Sequence, residues 1–155
     1  MSILILYESK TGFTEHCAIS LQEHLPGSDI EDIHNDTYDL TAYDTILIGA
    51  PIYMGEIEHF TQRFFVRHKP KLLKKKLGIF CAGMNKEEFN HAVQNSLPPD
   101  IFYHANIVHC GGKIDYSTLS IKEKFTIRRR LGIKSDAHIE NEDKMAEFIK
   151  WVKKD

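Results

Sequence analysis

The chain has 155 residues, 42% of them hydrophobic and 27% charged, which is the size and composition of one ordinary globular domain and excludes disorder, a collagen repeat and a disulfide scaffold. No run approaches the roughly 18 uninterrupted apolar residues that span a membrane, and the opening Met1-Ser2-Ile3-Leu4-Ile5-Leu6-Tyr7-Glu8 lacks a basic leader and a cleavage site, so a cytoplasmic protein is expected. The net charge of −2 hides a segregation of −10 over residues 1–60, +10 over 61–134 and −2 over 135–155, and a middle segment this basic suits phosphates, anionic lipid or an acidic partner as well as solvated helix faces.

In chain order, Ile3-Leu4-Ile5-Leu6-Tyr7 is short, continuous and rich in branched residues, as is a strand buried on both faces. Phe13, Cys17, Leu21 and Leu25 recur at fourth positions and predict the first helix. Asp29-Ile30-Glu31-Asp32-Ile33-His34 has four polar residues in six, which fits a strand at a sheet edge. A third strand, Thr45-Ile46-Leu47-Ile48-Gly49-Ala50, precedes a helix marked by Ile57, Phe60, Phe64 and Phe65. Leu77–Ala82 is the fourth strand. Asn85 with Glu88 then opens a helix carrying Phe89, Ala92, Val93 and Leu97, which stops before Pro98-Pro99. Ala105–Cys110 is the fifth strand. Residues 113–140 are polar and basic, and inside them Ser120 with Glu123 forms a capping box for a short helix containing Ile121, Phe125, Ile127 and Leu131 among Lys122, Lys124, Arg128, Arg129 and Arg130. The last helix begins near Asn141, with Glu142 and Asp143 in its first turn and Met145, Phe148, Ile149 and Val152 on its apolar face.

This alternation specifies a doubly wound α/β domain, because parallel strands need crossover helices that cover both faces of the sheet. One domain, residues 1–155, is expected, with a basic insertion at about 113–140 before the final helix. Five parallel strands with a polar second one suit the order 2-1-3-4-5, which puts ligands at the carboxyl ends of strands one, three and four.

The loops at those ends carry the candidate site. Ser9-Lys10-Thr11-Gly12-Phe13-Thr14 brings three hydroxyls and a glycine to a helix N-terminus, where backbone N–H groups point at an anion and Gly12 lets the backbone approach it. Ordinary helix capping would need one hydroxyl and no glycine. After the third strand, Gly49-Ala50-Pro51-Ile52-Tyr53-Met54-Gly55 offers Tyr53 to stack on a flat ring, against the plainer role of packing on the adjoining helix. Ala82-Gly83-Met84-Asn85, after the fourth strand, has small residues and free backbone groups for a ring's polar edge, with Asn85 also placed to cap a helix. Nucleoside-triphosphate and dinucleotide loops are absent, and Gly49 and Ala50 stand where a phospho-acceptor aspartate would end the third strand. Cys17, Cys81 and Cys110 read as buried thiols, and the nine histidines hold no metal-ligand spacing, so no metal is expected.

The loop Ser9-Lys10-Thr11-Gly12-Phe13-Thr14 resembles the flavodoxin pattern Ser/Thr-x-Thr-Gly-x-Thr, which holds the phosphate of FMN in that family, at the same place in the same topology. The resemblance covers nearly the whole chain. Gly49–Gly55, followed by Phe60, Phe64 and His68, looks most like the menaquinone-dependent protoporphyrinogen dehydrogenase branch, which also carries an extra basic segment, whereas flavodoxin carriers are strongly acidic around the flavin. Glu56 and Glu58 stand where that branch tends to have histidine. The resemblance implies a flavodoxin-like fold and FMN as cofactor. Ser9, Lys10, Thr11, Gly12, Phe13 and Thr14 would lie around the phosphate, Pro51, Ile52, Tyr53, Met54 and Gly55 over one ring face, and Ala82, Gly83, Met84 and Asn85 at the pyrimidine edge. The flavin does the redox chemistry, so no catalytic side chain is assigned. Two functions stay open: an oxidoreductase passing electrons to a quinone or respiratory partner with residues 122–130 against an anionic membrane, and a carrier between redox proteins. Nucleic acid is not among the expected partners.

Overall fold

In the computed structural model, which describes residues 1–154, the first strand β1 (Ile3–Tyr7) sends Ile3 and Ile5 into one core and Leu4 and Leu6 into the other. Helix α1 (Phe13–His24) leads to β2 (Asp29–Asp32), which pairs with β1 and forms one edge of the sheet. Then come β3 (Thr45–Tyr53), β4 (Glu56–Ile57), α2 (His59–Leu72), β5 (Lys76–Ala82), α3 (Lys86–Ser96), α4 (Pro99–His104) and β6 (Asn106–Ile114). Helix α5 (Ile121–Leu131), β7 (Ala137–Glu140) and α6 (Glu142–Lys153) complete the described chain.

The strand path is β2-β1-β3-β5-β6-β7. Its first five members are the five expected strands, parallel and in the expected order. The sheet is larger than expected, because β7 pairs antiparallel with β6 and β4 pairs antiparallel with β3. Neither addition has an apolar run to announce it: β4 is two residues long, and β7 (Ala-His-Ile-Glu) is a solvated edge with three exposed residues. The expected insertion at 113–140 is therefore partly sheet, since β6 runs on to Ile114 and β7 begins at Ala137.

Further boundaries differ: β3 runs on through Tyr53, into the stretch expected to be a loop, and β2 stops at Asp32, short of Ile33 and His34. Ile57 belongs to β4 rather than to the second helix, fully buried, with its N–H donated to Ser96 Oγ at 3.1 Å, so α2 starts at His59. Pro98-Pro99 ends α3 as expected but also starts α4, because proline at the first helical position gives up only an N–H that has no intrahelical partner. Leu25 and Leu97 lie just past the ends of α1 and α3 and are buried all the same.

One core packs α2, α3 and α4 on the sheet through Phe64, Phe65, Leu72, Val93, Leu97 and Ile101; the other packs α1 and α6 through Phe13, Cys17, Ala18, Leu21, Phe148 and Val152. The three cysteines are free and buried, and burial pushes the Cys81 thiol up to about 12. Helix α5 contributes no buried residue to either core. It lies instead over the carboxyl ends of β1, β3 and β5, where the site is.

Candidate functional site

Glu8, directly after β1, fixes where the first loop begins. Its carboxylate accepts a hydrogen bond from Thr61 Oγ1 at 2.6 Å and lies 3.2 Å from His34 Nε2, tying the end of β1 to α2 and to the segment after β2. The loop then turns into α1 through Gly12 at φ +89°, a left-handed conformation that costs a side-chain-bearing residue strain. Ser9 Oγ accepts from the N–H groups of Gly12 (3.1 Å) and Glu15 (3.3 Å), so this oxygen caps the helix start. The N–H groups of Thr11, Phe13 and Thr14 and the hydroxyls of Thr11 and Thr14 have no hydrogen-bond partner among the described residues. Together they form a cradle of donors at the positive end of α1.

The cradle opens into a cleft at the carboxyl ends of the strands, lined mostly by apolar side chains. Eleven of the predicted site residues line it: Lys10, Thr11, Phe13, Thr14, Pro51, Ile52, Tyr53, Met54, Ala82, Gly83 and Met84. Ser9, Gly12, Gly55 and Asn85 do not. Ser9 and Gly12 shape the loop behind its wall. Asn85 Oδ1 caps α3, accepting from the N–H groups of Glu87 (2.8 Å) and Glu88 (3.1 Å), so helix capping takes the oxygen that a ring edge would have used. Gly55 forms, with Met54, the two-residue turn between β3 and β4. Both have positive φ, +56° at Met54 and +78° at Gly55, the requirement of a type I′ hairpin turn. A Cβ on Gly55 would come within 2.7 Å of Arg130 Nη2.

β6 holds the Gly83 peptide on both sides: its N–H donates to Gly111 O at 2.7 Å, and its carbonyl accepts from His109 Nε2 at 2.5 Å. His109 is buried and stacked on Phe89 with ring centroids 4.9 Å apart, and burial lowers its pKa.

The remaining wall is one that the sequence reading did not assign to the site. Gly112, Lys113, Ile114 and Asp115 at the end of β6, with Leu119, Ile127 and Leu131 from the inserted segment, close the cleft from above. Glu123 Oε2 accepts a hydrogen bond from Tyr53 Oη at 2.6 Å and lies 3.8 Å from Lys10 Nζ, and that ammonium sits 3.2 Å from the Tyr53 ring centroid. The hydrogen bond to Glu123, with burial, pushes the Tyr53 phenol up to about 12, and the same bond holds Glu123 below the usual carboxylate range. Arg130 pairs with Glu88 Oε1 at 3.1 Å. The capping box announces α5, but no local signal says which of its faces turns inward.

The family described as Flavodoxin domain matches residues 4–138. The chain belongs to the flavodoxin domain family. Among solved structures with the same fold, a flavoprotein in complex with FMN from Lactobacillus acidophilus is 19% identical, with 70% of this chain and 91% of that one covered at a TM-score of 0.52. A flavodoxin, WrbA-like protein from Agrobacterium tumefaciens is also 19% identical, covering 79% and 87% at 0.53. Oxidised Flavodoxin 2 from Bacillus cereus is 22% identical, covering 70% and 84% at 0.50. No curated protein sequence matches the chain significantly. In flavodoxin-fold proteins the carboxyl ends of the strands are the ligand-binding edge, and here that edge carries the donor cradle, Tyr53 and the Gly83 loop.

Proposed function

We propose that the protein is an FMN-dependent oxidoreductase resembling the menaquinone-dependent protoporphyrinogen dehydrogenases, taking electrons from a reduced organic substrate and passing them to a quinone or a redox protein. The observation that carries the enzyme reading is the roof over the cleft. A carrier needs its flavin edge at the surface for protein docking, whereas Leu119, Ile127 and Leu131 here extend an apolar wall beyond the three flavin loops, with Lys113 at its side. The FMN complex of the Lactobacillus acidophilus flavoprotein supports the choice of cofactor.

The residues present fit FMN. The N–H groups of Thr11, Phe13 and Thr14 and the hydroxyls of Thr11 and Thr14 would hold the phosphate, and Tyr53, Met54 and Ile52 would cover the ring. Gly83 and Met84 would meet its polar edge, with the Gly83 peptide kept in place by His109 and Gly111. The flavin, when bound, supplies electron transfer in one- or two-electron steps. The chain's own work is to bind, to orient and, through the apolar inner face of α5, to exclude water.

The outward face of α5 supports an anionic membrane surface as the partner. Ile121 (87% exposed) and Phe125 (64% exposed) stand one helical turn apart, flanked by exposed Lys122, Arg128 and Arg129. Apolar groups ringed by cations match an anionic membrane surface, so the protein acts at the cytoplasmic side as a peripheral visitor to the pool that holds quinone. The test is an anaerobic reductive titration of the FMN-loaded protein followed by addition of a soluble quinone. Direct two-electron reduction with fast reoxidation by quinone is expected. A long-lived one-electron state that only a protein partner discharges would overturn the enzyme reading in favour of a carrier.

A further inference from the structure

Helix α5 is held to the body by few groups. None of its residues is buried, and its inner side turns Glu123, Ile127, Arg130 and Leu131 to the domain, spaced as one stripe over two turns. Ile127 and Leu131 face the cleft rather than a packed core, so they have little to close on until something fills it. Of the polar ties, Arg130 to Glu88 is a partly exposed ion pair, a kind that contributes little by itself. Glu123 is different. Its Oε1 accepts from the Ser120 N–H at 3.1 Å, and its own N–H donates to Ser120 Oγ, so the carboxylate is oriented by its own helix start. Its Oε2 then reaches Tyr53 Oη at 2.6 Å across 70 residues of sequence and draws in the Lys10 ammonium. A short hydrogen bond to an ionised acceptor is the strong kind.

From this geometry we propose that Glu123 is the latch of a flavin-coupled strap: it holds α5 closed over the cleft by fixing the Tyr53 ring and the Lys10 ammonium, so that flavin binding and strap closure reinforce one another. The inference rests on the reading above, in which the flavin ring lies beside Tyr53. Glu123 is a positioning residue: it reaches the site through the Tyr53 phenol and the Lys10 ammonium and touches none of the N–H and hydroxyl donors of Thr11, Phe13 and Thr14. By linkage, a ring that packs under Ile127 and Leu131 tightens the strap, and a released strap weakens ring binding by the same factor.

The test uses the full chain with FMN and with riboflavin, which lacks the phosphate. Glu123→Ala and Tyr53→Phe are each expected to weaken both flavins about 5- to 20-fold and equally, whereas Thr11→Ala with Thr14→Ala weakens FMN and leaves riboflavin unchanged. Hydrogen exchange of amides 119–131 should slow at least tenfold when wild type binds FMN, and should be fast without FMN in Glu123→Ala. In that variant the Tyr53 phenol, followed by ultraviolet titration with Tyr53→Phe as blank, should fall from about 12 toward its ordinary value of 10. Ser120→Ala breaks the helix cap and spares the Tyr53 contact; if it reproduces the Glu123→Ala pattern, Glu123 acts only on its own helix and the latch is overturned. Flavin binding by wild type with exchange at 119–131 indifferent to FMN also overturns the latch and leaves the FMN reading intact. Failure of wild type to bind either flavin overturns both.

Discussion

Ser9 and Thr14 are hydroxyl residues of one loop with different work. The Ser9 oxygen is taken up by the start of α1, while Thr14, buried and lining the cleft, keeps its hydroxyl for a ligand. Ser9→Ala should therefore cost about 1 kcal/mol of stability, a typical capping loss, read as a shift of the urea midpoint. Thr11→Ala with Thr14→Ala should leave that midpoint close to wild type and weaken FMN by two to four orders of magnitude, since each hydrogen bond to a charged group contributes roughly 1.5–3 kcal/mol. Asn85→Ala should cost about 1 kcal/mol as a lost cap of α3. A loss of FMN in Asn85→Ala larger than about tenfold would restore this side chain to the ring edge. The sequence shows which residues carry oxygens near the site. It does not show which oxygens the backbone has already claimed, because that depends on loop geometry fixed by Gly12 and by the Glu8–Thr61 contact.

Among the elements, the five parallel strands were legible because each is a buried run, and β4 and β7 were not, because an edge strand in water has no apolar signature to read. Helix α5 was visible as a helix through Ser120 and Glu123, yet its place as a wall of the cleft was hidden: it carries apolar residues on both sides, Ile127 and Leu131 inward and Ile121 and Phe125 outward. Two histidines, on β6 and on α2, give these elements a pH dependence of their own. Burial lowers the pKa of His109 on β6 and of His68 on α2, so below the ordinary imidazole value of 6.5 the unfolded chain takes up protons that the folded chain refuses. Their contribution is complete above pH 6.5 and is lost as pH falls from there toward the folded values. Urea midpoints should thus drop between pH 7.5 and pH 5. His109→Gln, which retains a donor for the Gly83 carbonyl, should flatten part of that slope, and an unchanged slope would show that His109 titrates as freely in the folded state as in the unfolded one.

Over the whole molecule, the charge segregation visible in the sequence resolves into separate surfaces. The acidic first 60 residues build β1 to β4 with α1, while the basic middle divides between α2 with the turn after it and α5. The α5 group joins its cations to exposed Ile121 and Phe125 beside the cleft, so vesicle binding is predicted to depend on it. Replacing Arg128 and Arg129 by glutamine and Phe125 by alanine should abolish binding to vesicles rich in anionic lipid, which salt should also weaken in wild type. Equal sedimentation of the variant and wild type with such vesicles would return α5 to solvated surface.

The most direct measurement is the visible absorption of the protein after incubation with FMN and removal of the excess, made on wild type and on Thr11→Ala with Thr14→Ala. Wild type should retain about one FMN per chain with shifted flavin bands, and the double variant, folded to the same degree by circular dichroism, should retain none. Retention of FMN by the variant equal to wild type, or none by wild type, would contradict the assignment of the cleft.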